Sequence, residues 1–215
     1  MMDADPRTGP VPQPSRGYLI AKRVMDVVIC GVGLVLLSPL LALIALWVKM
    51  DSQGPVLFKQ LRIGRHQKPF YCLKFRSMTV DAEARRRELE HLNEVDGPVF
   101  KIRDDPRVTR AGRILRKLSL DEFPQLWNVM TGEMTLVGPR PPLPAEVEKY
   151  EPWMLQRLEV TPGITCFWQI SGRSNVTFDE WMRMDLDYIR QCSIMTDIKI
   201  LVRTIPAVLF GKGAY

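Results

Sequence analysis

The stretch VVICGVGLVLLSPLLALIALWV, residues 27–48, contains no charged side chain. A helix needs about 20 predominantly apolar residues to cross the hydrocarbon of a bilayer, so this run places the chain in a membrane. The alternative is a buried helix of a soluble protein. A helix apolar on every face over this length would need a larger protein to enclose it.

Two details argue against a plain span. Ser38-Pro39 stands in the middle of the run, where proline lacks a backbone donor and clashes with the preceding turn. Both flanks also carry the basic mark of the cytoplasmic side: Lys22 and Arg23 precede the run, and Lys49, Lys59, Arg62, Arg65 and Lys68 follow it. A re-entrant helix–break–helix over residues 18–51, entering and leaving on one face, satisfies both. Asp26 would cost about 2.5–3.5 kcal/mol at a helix centre in hydrocarbon, so it is expected at headgroup level near Lys22 or Arg23.

Ahead of this segment, Pro6, Pro10, Pro12 and Pro14 lie among small and polar residues. That composition predicts a disordered tail over residues 1–17, without the pattern of a signal peptide. Behind it, residues 52–215 suffice for one ordinary domain. The net charge of +6 implies an anionic partner, whether nucleic acid, an acidic membrane or a phosphorylated small molecule, and does not choose among them. Cys30, Cys72, Cys166 and Cys192 have no CxxC spacing, and His66 and His91 stand apart from them. No zinc site is readable, and four free thiols fit a reducing compartment.

Within the domain, residues 55–63 and 70–78 read as two strands joined by a polar turn. Period-two alternation puts Tyr71, Leu73 and Phe75 on one face and Lys74 and Arg76 on the other. Residues 80–94, charged nearly all round, predict a solvated helix. Residues 178–191 fit an amphipathic helix, and residues 198–210 an apolar but charge-interrupted one suited to the membrane interface. The expected fold class is α+β and mostly helical, with a membrane hairpin, a small β-hairpin and amphipathic interfacial helices.

The chemistry concentrates in SLDEFPQLWNV, residues 119–129. Pro124 fits only the first turn of a helix, which puts Asp121 and Glu122 at a helix N-terminus, where the dipole favours carboxylates. Both are expected ionised, with depressed pKa values, one suited to be a nucleophile and the other a ligand for a hard cation. Ser119 and Glu122 also match the S-x-x-E capping box, and by spacing alone the cap is favoured. Upstream, Arg107, Arg110, Arg113 and Arg116 form a basic stripe that could hold phosphates or face solvent and anionic lipid; proximity to the acidic pair singles out Arg116. Downstream, Arg140 stands between two prolines that limit its anchor's freedom, preparing the guanidinium for bidentate phosphate binding. The RPPLP that contains it also resembles an SH3 ligand. TPGITCFWQISGR, residues 161–173, suits a loop that stacks a base or sugar through Trp168, with Gln169 beside it. Neither nucleotide-binding glycine fingerprint applies.

In order along the chain, the KR-x-x-D entry with its Ser-Pro break, KFRSM, DPRVTRAGRILRKLSLDEFPQLWNV, VGPRP, PGIT, WQISGR and the closing GKGAY resemble the bacterial sugar transferases, more narrowly the monotopic phosphoglycosyl transferases. The resemblance covers residues 22–215. It implies a bacterial inner-membrane enzyme with a re-entrant hairpin broken at Ser38 and Pro39 and a catalytic domain facing the cytosol. It implies Mg²⁺, a UDP-sugar donor and a polyprenyl phosphate acceptor, usually undecaprenyl phosphate, with release of UMP in the first membrane step of exopolysaccharide, O-antigen or glycoconjugate synthesis. Carried over by motif position, Asp121 is the nucleophile that forms a covalent phosphosugar, and Glu122 is the magnesium ligand. Lys74, Arg116 and Arg140 hold phosphate or shape the site. Anionic lipids are expected partners and nucleic acid is not. Cys166-Phe167 departs from the glycine and second residue common before WQ. The competing class is a membrane-tethered basic binding module, in which the acidic pair only caps a helix.

Overall fold

The computed structural model describes residues 9–94, 97–100, 102–171 and 176–209. Helix α1, Arg16–Asp51, starts at Ser15, whose side chain accepts from the Tyr18 N–H at 3.3 Å. It is 36 residues long, and most of its apolar side chains face outward, while Lys22, Asp26, Cys30, Ile44 and Val48 are buried. Only 11% of its most apolar 18-residue window is buried, so it is no core helix of a soluble domain. Apolar side chains outside and ionic ones against the domain mark a helix whose outer solvent is lipid, and the chain is membrane-associated.

The expected break is not a break in the hydrogen-bonded helix, which continues through Pro39. Proline at 39 deprives the Val35 carbonyl of its i+4 donor, and the Ser38 hydroxyl donates to that same oxygen at 2.8 Å. Asp26 lies one turn along α1 from Lys22, near which it was expected, and is buried against the domain. Its carboxylate accepts from Thr135 Oγ1 at 2.5 Å and the Leu136 N–H at 3.1 Å, while Lys22 pairs with Asp197 at 2.7 Å. Protein donors meet the cost of this buried carboxylate. Arg23 donates to the Val129 and Met130 carbonyls, at 2.5 and 2.7 Å.

Strands β1 (Leu57–Ile63) and β2 (Pro69–Phe75) form the expected antiparallel hairpin, in register from Leu57↔Phe75 to Ile63↔Pro69. Residues 84–92 form a 3₁₀ segment with no buried residue, not the α-helix expected there; without an apolar stripe nothing packs it into a longer helix. Then follow α2 (Arg110–Lys117), α3 (Gln125–Thr131), β3 (Thr135–Val137), α4 (Pro144–Val147), β4 (Gly163–Thr165), α5 (Phe167–Ile170), α6 (Phe178–Gln191) and α7 (Ile194–Leu209). The PGIT segment read as a binding loop is β4, paired parallel to β3 (Thr135↔Gly163, Val137↔Thr165). Gly163 is required there because a Cβ would meet the Gly138 backbone N at 2.1 Å. The class is α+β and mostly helical, as expected.

The main core gathers Val129, Leu136, Met182, Leu186 and Ile189, and a smaller cluster joins Ile44 and Val48 of α1 to Phe75 and Leu115. Helix α6 matches its predicted bounds and has a capping box, Thr177 with Glu180. Residues 9–15 precede α1, and among them Val11 is buried, its N–H donating to Gln156 Oε1 at 3.0 Å. The other residues of 9–15 are exposed or half-buried, and residues 1–8 lie outside the described residues.

Asn128 ties α3 to the edge of β2: its amide accepts from the Leu73 N–H at 2.9 Å and donates to the Tyr71 carbonyl at 2.9 Å and to Glu133 at 2.8 Å. Asn128→Ala strands two backbone groups of the strand that carries Lys74. Each buried group left without a partner costs about 1–3 kcal/mol. Thermal unfolding should show a loss of about 2–6 kcal/mol; a loss under about 0.5 kcal/mol, the range of neutral surface substitutions, would mean the strand edge does not depend on this side chain.

Candidate active site

Lys74 projects from β2 on the face shared with buried Phe70 and Cys72, and it reaches Glu122 rather than solvent. Its neighbour on that face, Arg76, is spent elsewhere. It donates to the Val48, Ser52 and Pro55 carbonyls and so caps the C-terminus of α1. Helix α2 begins at Thr109, whose side chain accepts from the Gly112 N–H. Gly112 lies against the Ser77 backbone, where a Cβ would meet the carbonyl oxygen at 2.0 Å. That close approach brings Arg116 Nε to Ser77 Oγ at 3.0 Å. The arginine stripe divides accordingly: Arg107 is locked to Asp105 at 2.6 Å, Arg110 and Arg113 are exposed, and Arg116 lines the cavity.

Ser119 sits in the left-handed region at φ 54° and makes no side-chain cap. A 3₁₀ turn over Leu120–Glu122 follows, and Pro124 then caps α3. The capping box is therefore not formed. The Glu122 carboxylate instead accepts from Lys74 Nζ at 2.9 Å and Arg140 Nη1 at 3.2 Å, both on Oε1. Asp121 is buried beside it.

The two carboxylates diverge, where the helix N-terminus argument expected both depressed. Burial pushes Glu122 up, but Lys74 and Arg140 outweigh it and hold the group well below the usual carboxylate range. Burial pushes Asp121 up; Lys74 offsets part of this and the charge of Glu122 adds to it. The 3₁₀ turn separates Asp121 from the start of α3, so it lacks the helix N–H groups that the expectation relied on.

Arg140 lies in a loop whose carbonyls are held one after another. Pro139 O accepts from the Gly163 N–H at 2.9 Å and Arg140 O from Arg157 Nη2 at 2.8 Å. Pro141 O accepts from Arg62 Nη1 at 2.7 Å, and Pro142 O from the Ile63 N–H at 2.9 Å. Three prolines remove donors that would need partners, and the surroundings satisfy the acceptors that remain. The loop is thus a fixed platform rather than an exposed proline-rich ligand.

Lys74, Arg116, Asp121, Glu122 and Arg140 line one cavity of about 790 Å³. Trp168, stacked on Trp181 at 4.3 Å, and Gln169 form part of another wall. Cys166 is buried at the start of α5, its thiol facing Gln169 Oε1 at 3.5 Å. Gly172 and Arg173 of the WQISGR motif and the closing GKGAY lie outside the described residues. Among the described residues no group of three or more His, Cys, Asp or Glu side chains gathers to hold a metal.

A family profile described as bacterial sugar transferase matches residues 17–211, the stretch that contains all of these site residues. The chain belongs to the bacterial sugar transferase family. It is 46% identical over 198 residues to the galactosyl transferase CpsE of Streptococcus agalactiae, covering 92% of this chain and 44% of that protein. It is 42% identical over 200 residues to the exopolysaccharide production protein ExoY of Rhizobium meliloti, covering 91% and 88%. It is 42% identical over 214 residues to the UDP-glucose:undecaprenyl-phosphate glucose-1-phosphate transferase of Caulobacter vibrioides, covering 95% and 75%. This sugar transferase thus spans under half of the first relative and most of the other two.

Two features of the sugar transferase site escaped the sequence reading. Arg157 is fully buried, pairing with Asp185 at 2.6 Å while holding the Arg140 carbonyl. Arg62, counted only as a membrane-flanking charge, is buried against Gln60 and Pro141. The available signal was Asp185 itself, a carboxylate on the apolar stripe of an amphipathic helix, which demands a buried cation.

Proposed function

We propose that this sugar transferase moves a hexose-1-phosphate from a UDP-hexose to undecaprenyl phosphate through a covalent Asp121 phosphosugar. The observation that carries the reading is a buried carboxylate, Asp121, in a cation-lined cavity where Glu122 engages Lys74 and Arg140 and Arg116 lies beside them. An oxygen of Asp121 attacks the phosphorus bearing the sugar, the bond to the bridging oxygen breaks, and UMP leaves with that oxygen. A phosphate oxygen of the acceptor then attacks the same phosphorus and displaces Asp121. The polyprenyl diphosphosugar forms and the carboxylate is regenerated.

Arg116 donates from Nε to Ser77 Oγ and has no ion-pair partner among the described residues, which leaves its Nη groups to meet diphosphate oxygens. Glu122 is the residue that would hold Mg²⁺. Magnesium is commonly bound through one or two carboxylates plus substrate phosphates, so the absence of a larger acidic cluster is consistent with this donor set. When bound, the cation would offset charge on the diphosphate.

What supports a re-entrant path is that both ends of α1 are tied to the same domain. Lys22 and Asp26 bond to α7 and β3 at one end, and Asp51 accepts from the Ala111 N–H at the other. A straight span would separate those ends by about 30 Å of hydrocarbon. The exposed stripe Met195, Ile198, Val202 and Ile205 on α7 supports contact with the interface of the inner membrane, with the catalytic domain in the cytosol. Single cysteines at Tyr18 and Gln53 should be reached by an impermeant thiol reagent from the cytosolic side alone. Labelling from opposite sides would establish a span.

Activity is tested by UMP release from a panel of UDP-sugars in detergent with undecaprenyl phosphate and Mg²⁺; no release with any donor would sink the reading. Arg140→Lys keeps the charge but loses the planar fork. A charge-assisted hydrogen bond contributes about 1.5–3 kcal/mol, so turnover should fall about 10- to 100-fold with the melting temperature unchanged. Unchanged kinetics would return Arg140 to a structural role.

A further inference from the structure

We infer that Arg157, held by Asp185 and Tyr150, is a positioning residue that sets the Arg140 guanidinium for phosphate. The inference rests on the reading of Arg140 given above. Arg157 is 1% exposed, lies beyond the cavity lining, and does not face the substrate space. Its Nε and Nη2 both donate to Asp185 Oδ2, at 2.9 and 2.6 Å, and Nη1 donates to the Tyr150 hydroxyl at 2.7 Å. The planar group lies over the Trp181 and Tyr150 rings, 5.4 and 5.7 Å from their centroids. With every direction fixed, Nη2 is left with one further contact, the carbonyl of Arg140 at 2.8 Å.

A buried ion pair made only for stability could be replaced by apolar packing at little cost, whereas one whose third arm grips a site residue's backbone also fixes geometry. The guanidinium can satisfy Asp185, Tyr150 and Arg140 O together because its donors diverge in one plane. A lysine ammonium has three donors on a flexible stem and no such fork. The peptide unit gripped is the one that leaves the Arg140 Cα, so its rotation swings the side chain that meets Glu122 and the cavity. A displacement of about 1 Å at a positioning group can reduce turnover about 100-fold.

The test is a double-mutant cycle of Arg157→Lys with Arg140→Lys in the full-length protein. Two readouts are used: UMP release from UDP-glucose and UDP-galactose with undecaprenyl phosphate, and the affinity for UDP, which needs no turnover. Arg157→Lys alone should lower kcat about 10- to 100-fold, and in the Arg140→Lys background less than about threefold, because the group it positions is already altered. Tyr150→Phe, which removes one tether and keeps the ion pair, should show the same non-additivity with a smaller loss and serves if Arg157→Lys does not fold. Additive losses in both backgrounds, on both readouts, would reduce Arg157 to a structural pair and overturn the inference. A different outcome, Arg140→Lys with unchanged turnover and UDP affinity, would instead sink the phosphate-binding reading of Arg140 on which it rests.

Discussion

Asp121→Asn should abolish three observables together: the burst of UMP released from a UDP-sugar without acceptor, the mass of a sugar phosphate added to the protein, and steady-state turnover. The substitution keeps the shape of the side chain and removes the anionic oxygen that attacks phosphorus. Loss of a covalent nucleophile is expected to cost about 10³-fold or more. The same variant should melt at the same temperature as the parent or higher. Folding raises the pKa of Asp121 above its unfolded value, so the ionised carboxylate costs stability at pH values above the folded pKa and regains it as the pH falls through that value. Asparagine removes that cost at neutral pH. An adduct on another residue, or normal turnover in Asp121→Asn, would overturn the nucleophile; an inactive variant that has also lost its fold would leave the adduct site on the parent, read by mass spectrometry, to decide.

Glu122→Gln should be impaired for a different reason and leave a different trace. The carboxylate holds both Lys74 and Arg140 through one oxygen, and the amide retains the acceptor but not the charge. Turnover should fall about 100-fold or more, and more Mg²⁺ should be needed for half-maximal rate. Chelation of divalent cations should stop the parent enzyme and Mg²⁺ should restore it; full activity in chelator would remove the metal from the reading. Unlike Asp121→Asn, this variant should be less stable, since removing one partner of a largely buried pair leaves the cations uncompensated. The sign follows from a folded pKa below the unfolded one: Glu122 contributes stability in full above about pH 4.3 and loses it as the pH falls through its folded value. The stability gap between parent and Glu122→Gln should therefore narrow in acid.

The pair of outcomes, one inactive variant that is stable and one that is not, discriminates against a helix cap. A cap would predict the reverse emphasis, with loss of stability at both positions and no covalent adduct. Ser119 argues the same way, since its hydroxyl receives no helix N–H while Thr177 and Glu180 form the capping box at the start of α6.

Much of this protein was legible without coordinates because local chemistry decides it. The uncharged run at 27–48 admits no ordinary soluble environment, the alternation in 55–63 and 70–78 specifies a hairpin, whose paired strands span 57–63 and 69–75, and the apolar stripe of 178–191 specifies a helix with the observed bounds. The residues Lys74, Arg116, Asp121, Glu122 and Arg140 were singled out from motif order, and the structure gathers them around one cavity. Short parallel strands β3 and β4 left no trace, since three residues cannot display a period and their pairing bridges distant segments. Continuity of α1 through Pro39 depended on one hydroxyl finding the orphaned Val35 carbonyl. The fate of each charge was also decided only in three dimensions. Asp26 and Lys22 found separate partners, Arg76 went to cap a helix, Arg157 to grip a loop, and the adjacent carboxylates Asp121 and Glu122 acquired opposite shifts. Sequence determines which segments must be buried, wet or in lipid, because hydrophobicity and backbone preference act locally. Electrostatic roles are set by burial and by neighbours within a few ångströms, and those neighbours come from remote parts of the chain that only the tertiary fold brings together.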